Sequence, residues 1–165
     1  MILFSNTKRQ KSPQATLFLD RDGVINEDHG YVHSKENFDF LPGIFELALA
    51  ARAKGYLSVV VTNQAGIGRG LYTTNQFKTL STWMCEQFQN KGAFIDAIYY
   101  SPFHPTEARG KYLLKEATRK PGVGMFLEAA EELNIDLSKS IMVGDKVSDV
   151  EASVNANIPS NYLLS

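Results

Sequence analysis

The 165-residue chain has one cysteine, one tryptophan and six prolines, and seventeen Lys and Arg nearly cancel eighteen Asp and Glu to leave a net charge of −1. Each scarcity excludes something. The lone thiol, Cys85, rules out an internal disulfide and any zinc site built from several thiolates, and it suits a reducing compartment. A net charge near zero provides no global field to hold nucleic acid or an anionic membrane surface. No apolar run approaches the length of a membrane span, and Met1-Ile-Leu-Phe4, followed by Lys8, Arg9 and Lys11, is too short for the apolar core of a signal peptide. The expected setting is the cytosol, with no nucleic-acid or membrane partner and a monomeric chain. Residues 1–14 read as a flexible leader ending at Pro13, and residues 15–165 as one domain of a size that folds without staples.

What is present is an alternation of short apolar runs and helical patterns. Thr16-Leu-Phe-Leu19 stops at Asp20 and Leu57-Ser-Val-Val-Val61 stops at Thr62, and both read as buried strands. Between them, residues 43–54 are rich in helix formers and end at Gly55, the residue that best tolerates a left-handed C-cap. A second helix starts near Thr73, where Thr73-x-x-Gln76 offers a capping box, carries Phe77, Leu80, Met84 and Phe88 at helical spacing, and ends near Gly92. Trp83 and Cys85 on this helix read as packing residues. A strand at 95–100, a helix at about 122–134, a strand at 140–144, a helix at about 148–157 and a short strand at 162–164 complete the series. This alternation predicts an α/β fold, a doubly wound and mostly parallel sheet covered on both faces. Two connections, 22–42 and 101–121, are too long to be simple links and are expected to shape a pocket. Neither is long enough to fold as a large cap domain.

In an open α/β sheet, ligands bind outside the carboxyl ends of the strands. Three strands end there on polar residues: Asp20 and Asp22, then Thr62 and Asn63, then Asp145 and Asp149. Lys120 adds a cation just before a helix. Singly, each group has a plain explanation, since Asp-Arg-Asp-Gly suits a surface turn and Thr62-Asn63 suits a helix cap. Together, clustered carboxylates need a neutralising cation, most simply Mg²⁺ bound through oxygen. With a lysine and a hydroxyl alongside, the assembly suits phosphoryl transfer.

In their order and content, Phe18-Leu-Asp-Arg-Asp-Gly-Val-Ile-Asn26, Val61-Thr-Asn-Gln64, Arg119-Lys-Pro121 and Met142-Val-Gly-Asp-Lys-Val-Ser-Asp149 resemble the four motifs of the haloacid dehalogenase (HAD) superfamily of phosphatases. The similarity spans nearly everything after the leader. Asp28-His-Gly-Tyr-Val-His33 and Thr62 to Gly70 narrow it to the branch that includes heptose-bisphosphate and histidinol-phosphate phosphatases. The resemblance implies a Mg²⁺-dependent phosphomonoesterase that removes the 7-phosphate of a heptose 1,7-bisphosphate. Its alternatives are histidinol-phosphate hydrolysis, or a binding module that has lost activity. It makes Asp20 the nucleophile, Asp22 the general acid and then base, and Thr62 and Lys120 the binders of the phosphoryl oxygens. Metal would be held by the Asp20 carboxylate, the Asp22 backbone carbonyl and Asp145, with Asp149 ordering the site from behind. Asp28, His29, Gly30, Tyr31, Asn63, Gln64, Ala65, Arg69, Arg119 and Lys146 would bind substrate, Arg119 taking the second phosphate or a sugar hydroxyl.

One departure is large. Many members of this family carry a zinc site in the long loop, in the pattern C-P-H … C-x-C-R-K-P. Here the aligned positions are Ser101, Phe103, Glu116 and Thr118. No structural zinc is expected, His104 reads as an ordinary loop residue, and packing by Phe103, Tyr112, Leu113 and Leu114 is expected to order the loop instead.

Overall fold

The computed structural model describes residues 1–165. Six strands form one sheet: β1 (Ile2–Ser5), β2 (Thr16–Leu19), β3 (Leu57–Asn63), β4 (Ala97–Ser101), β5 (Ile141–Gly144) and β6 (Ser160–Leu163), in the spatial order β1-β4-β3-β2-β5-β6. All neighbours are parallel except β1 and β4. The helices are α1 (Ile44–Ala53), α2 (Ala65–Arg69), α3 (Thr74–Asn90), α4 (Gly124–Leu133) and α5 (Val147–Asn155). None is long and apolar enough to cross a membrane.

The two-residue period of a strand explains the two cores. From β2, Leu17 and Leu19 point to one face and Phe18 to the other; from β3, Val60 opposes Val59 and Val61. One face packs on α1 and α3 through Ala48, Phe77, Leu80, Met84 and Phe88. The other packs on α4 and α5 through Met125, Phe126, Ala129 and Ala152, with Phe18 and Phe126 edge to face at 5.0 Å. Full burial of each such large apolar side chain contributes about 1.5–3 kcal/mol. A sheet covered this way on both faces is the doubly wound α/β architecture read from the sequence. Thr73 caps α3 with a complete capping box. Cys85 is buried in the first core, and that burial pushes its thiol up to about 12. No cap domain is present: residues 20–43 and 102–123 hold only single turns of 3-10 helix.

Two elements differ from the sequence reading. Where a flexible leader was expected, Ile2–Ser5 closes the sheet edge as β1, with Ile2 opposite Tyr99 and Ser5 opposite Ala97. Asp96 fastens the segment after it, accepting a backbone N–H from Ser58 (2.8 Å) and the hydroxyl of Thr7 (2.5 Å). The short helix α2 is not among the helices read from the sequence. Its glycines serve close approach: a Cβ on Gly66 would lie 2.1 Å from the Tyr72 ring, and one on Gly68 would lie 2.3 Å from the Pro102 carbonyl oxygen.

Candidate active site

At the carboxyl ends of β2, β3 and β5, the apolar runs give way to polar side chains that meet around a cavity of about 600 Å³. Asp20 follows β2 directly. Its Oδ1 accepts the Arg21 backbone N–H at 2.8 Å and the Lys120 ammonium at 3.1 Å, leaving Oδ2 without a protein donor. Burial pushes the Asp20 carboxyl up to about 6; Lys120 pulls against this, while Asp149 and Asp22 add to it.

Lys120 is only 2% exposed, and its three N–H groups are fully engaged: with Asp20, with Asp149 Oδ1 at 2.6 Å and with the Val61 carbonyl at 2.8 Å. Asn63 holds the lysine's backbone through a reciprocal pair of bonds, its amide donating to Lys120 O (3.1 Å) and its carbonyl accepting from Lys120 N (3.0 Å). The other Asp149 oxygen, Oδ2, accepts the backbone N–H groups of Asp145 (3.1 Å) and Lys146 (3.0 Å), which fixes the turn from β5 into α5.

Carboxylate oxygens of Asp20, Asp145 and Asp149 lie within 4.8 Å of one another. Both Asp149 oxygens already serve Lys120 and the turn, so Asp20 and Asp145 are the donors left for a cation. Asp145 Oδ1 is buried without any hydrogen-bond partner, which leaves it free to serve as an oxygen donor to a cation. Burial raises the Asp145 carboxyl, and Lys146 only partly offsets this. Gly23 makes room beside it: a Cβ there would sit 2.2 Å from Asp145 Oδ2, and the backbone φ of +87° also favours glycine. This all-oxygen, partly buried donor set fits Mg²⁺.

Asp22, Asp28, Gly30, Tyr31, Gln64, Ala65, Arg119 and Lys146 line the cavity together with Asp20, Asn63, Lys120 and Asp149. Lys146 Nζ lies 3.2 Å from Asp28 Oδ2; burial opposes its charge, but Asp145 and Asp28 outweigh that and raise it. Arg69 stands at the rim, donating to the Tyr31 hydroxyl and lying 3.4 Å from Glu107. Two expected residues are placed differently. His29 turns outward to Asp39 (2.8 Å) and forms no part of the cavity wall. Thr62 is buried behind the wall, where its hydroxyl accepts from Gln64 Nε2 at 2.8 Å.

The sequence reading missed Tyr72, His104 and Glu107, all of which line the cavity. Tyr72 donates to the Gln64 carbonyl, and His104 Nδ1 accepts the backbone N–H groups of Thr106 and Glu107. The length of the 101–121 connection was the signal for the last two. That loop rests on α2: Arg109 N donates to Gly68 O at 2.8 Å, Phe103 packs edge to face on Tyr112, and Thr118 donates to Ser101 at 3.3 Å. Leu113 and Leu114 are about half exposed, so they are not the anchors expected of them. The backbone hydrogen bond from Arg109 to Gly68 on α2 and the packing of Phe103 on Tyr112 take that place.

A doubly wound sheet that gathers an aspartate, a buried lysine and a Mg²⁺-type carboxylate set at its strand ends defines a hydrolase of the HAD class. The HAD-hydrolase-like family model matches residues 117–165. The D-glycero-alpha-D-manno-heptose-1,7-bisphosphate 7-phosphatase of Burkholderia mallei is 53% identical over 148 residues, covering 90% of this chain and 78% of that protein. The corresponding beta-heptose enzyme of Vibrio cholerae is 47% identical over 148 residues, covering 90% of this chain and 80% of its own. A crystal structure of D,D-heptose 1,7-bisphosphate phosphatase from B. bronchiseptica, complexed with magnesium and phosphate, superposes with a TM-score of 0.80 at 30% identity, over 91% of this chain and 80% of that one. The chain belongs to the HAD phosphatases, in one family with these enzymes, and is a phosphoric monoester hydrolase.

Proposed function

We propose that this phosphatase removes the 7-phosphate of D-glycero-D-manno-heptose 1,7-bisphosphate, acting through an aspartyl-phosphate on Asp20. The observation that carries the reading is the pairing at Asp20. One carboxylate oxygen is held by Lys120 and the Arg21 N–H, and the other is left free at the floor of a cavity sized for a sugar phosphate. The names of the relatives at 47–53% identity supply the sugar.

Asp20 Oδ2 forms the bond to phosphorus as the bond from phosphorus to the sugar oxygen breaks. Asp22 protonates the departing oxygen, then takes a proton from the water that hydrolyses the aspartyl-phosphate. Lys120 keeps a fixed positive charge beside the reacting group, and Thr62 backs the same wall. Mg²⁺, held by Asp20, Asp145 and the Asp22 carbonyl, would neutralise charge on the phosphoryl oxygens. Arg119 and Lys146 are the cavity's cations for the second phosphate and the sugar hydroxyls, with Asp28 to Tyr31, Asn63 to Ala65 and Arg69 along the sugar side. We propose that the enzyme acts as a cytosolic monomer on this small sugar phosphate, since the residues that line the cavity all come from one chain.

The test is phosphate release from the two heptose 1,7-bisphosphate anomers, histidinol phosphate and simple hexose phosphates, with Mg²⁺ and with EDTA. The heptose substrates should lead by at least about tenfold in kcat/KM, a difference of about 1.4 kcal/mol in transition-state binding. EDTA or Asp20→Asn should abolish turnover. A lead for histidinol phosphate would move the assignment to that substrate, and ligand binding without any release would make the protein a binding module.

A further inference from the structure

We infer that Arg21 is a positioning residue for Asp22 and fixes which of its two carboxylate oxygens carries the catalytic proton. The inference rests on the phosphatase reading above, in which Asp22 is the acid and base.

Arg21 lies between the two aspartates in sequence, yet it is only 1% exposed. Its guanidinium sits among the Phe38 and Phe77 rings, 5.9 and 5.7 Å from their centroids. Nε and Nη2 both donate to Asp22 Oδ1, at 3.1 and 2.6 Å, and Asn26 Nδ2 donates to the same oxygen at 3.1 Å. Asp22 Oδ2 accepts only from Gln64 Nε2, at 3.1 Å. A proton on Oδ1 would face three N–H donors, whereas a proton on Oδ2 meets one donor and leaves that oxygen a second lone pair. The working proton therefore belongs to Oδ2, and Oδ1 is the anchor.

Stability alone does not explain this arginine. Its Nη1 is buried without a partner, and burying a guanidinium with one arm unsatisfied is costly compared with an apolar side chain of similar volume. The geometry instead serves orientation. A planar fork fixes the plane of a carboxylate in a way that a point charge does not. Arg21 Nη2 also donates to the Val32 carbonyl at 2.7 Å, tying the 28–33 stretch of the cavity wall to the same carboxylate. In the reaction, the phosphorus–oxygen bond breaks with its electron pair going to the sugar oxygen, and that oxygen takes the Oδ2 proton to leave as an alcohol. The Asp22 carboxylate then accepts a proton at Oδ2 from the attacking water, restoring the acid as inorganic phosphate leaves Asp20.

The experiment compares kcat/KM for heptose 1,7-bisphosphate, whose alkoxide needs a proton to leave, with that for p-nitrophenyl phosphate, whose leaving group does not. Arg21→Ala should lower the first by about 100-fold, the scale of a misplaced general acid, and the second by less than about fivefold. Inhibition by orthovanadate should stay within about threefold of wild type, because Asp20 and Lys120 are untouched. Added guanidinium should restore at least about tenfold of the lost alkyl-phosphate activity, as refilling the vacated site would. Should that variant not fold, Arg21→Lys decides by the same ratio, with about a tenfold selective loss expected because an ammonium cannot grip Oδ1 twice. Equal losses on both substrates, or no loss, would overturn the inference. If wild type turns over another alkyl phosphate but not the heptose, the substrate reading fails, and the same ratio measured with that ester still tests Arg21.

Discussion

Lys120 and Asp149 form an ion pair closed off from solvent, with Nζ 2.6 Å from Oδ1 and each side chain 1% exposed. The pair has a job beyond cohesion, because the same ammonium reaches Asp20, the proposed nucleophile, at 3.1 Å. Asp149 thus aims Lys120 while its second oxygen holds the turn that presents Asp145. Removing one partner of a buried pair costs about 3–5 kcal/mol. Asp149→Ala is therefore expected to lower unfolding free energy by that amount in urea titration and to lose most activity. A variant as stable and active as wild type would show that the pair is dispensable.

Magnesium binding should depend on pH. Burial holds Asp20 up at about 6 and raises Asp145 as well, so the folded, metal-free protein keeps protons on them to higher pH than the unfolded chain does. The stability Asp20 contributes this way is fully present below 3.8, its ordinary value, and is lost as pH rises through about 6. Binding a divalent ion requires the charged forms, so it releases protons. Apparent affinity should weaken by about tenfold per unit below pH 6 for each proton released. The rise in Tm produced by Mg²⁺ should be larger at pH 7.5 than at pH 5. Calorimetry in buffers of different ionisation enthalpy counts the protons, and a count of zero at pH 5.5 contradicts the assignment.

Gly68 tests how the long loop is seated. Its missing Cβ lets the Pro102 carbonyl approach, and backbone cannot swing aside as a side-chain tip can. Gly68→Ala should cost about 1–3 kcal/mol, typical of overpacking, and lift the loop that carries His104, Glu107 and Arg119. The expected kinetic signature is a KM for the sugar bisphosphate raised by about tenfold or more, with p-nitrophenyl phosphate turnover nearly unchanged. A change in kcat for both substrates would place the effect at the chemistry instead.

The loop should also hold without metal. Purified protein is expected to contain no stoichiometric zinc, and a zinc-selective chelator should leave both Tm and protease resistance of residues 101–121 unaltered. Installing Ser101→Cys, Phe103→His, Glu116→Cys and Thr118→Cys together should create a tetrahedral Cys3His site that binds zinc with measurable affinity. Zinc found in the unmodified protein at one ion per chain would contradict this reading of the loop.

The legible parts of the fold and site were those set by local pattern. Short apolar runs that stop at Asp20, Thr62 and Asp145 mark strand ends because they are too short for a buried helix and alternate with helical patterns, and Thr73 with Gln76 encodes a cap within four residues. What stayed hidden depends on partners distant in sequence. β1 exists because β4 offers it an edge more than ninety residues away. α2 is absent from the predicted helices because the sequence does not reveal that Tyr72 and Pro102 demand its glycines. Arg21 reads as a solvent-facing charge between two carboxylates until Phe38 and Phe77 fold around it. His29 sits inside a matching stretch, but Asp39, ten residues on, claims its ring.

The pairing of β1 with β4 also bears on the order of events as the chain is made. Residues 2–5 leave the ribosome more than ninety residues before their strand partner at 97–101, and β2 and β3 are made in between. Contacts of such long sequence separation form slowly, so these residues wait unpaired at least until β4 has been made. Until β1 docks, the Tyr99 edge of β4 stays open to any other strand that passes.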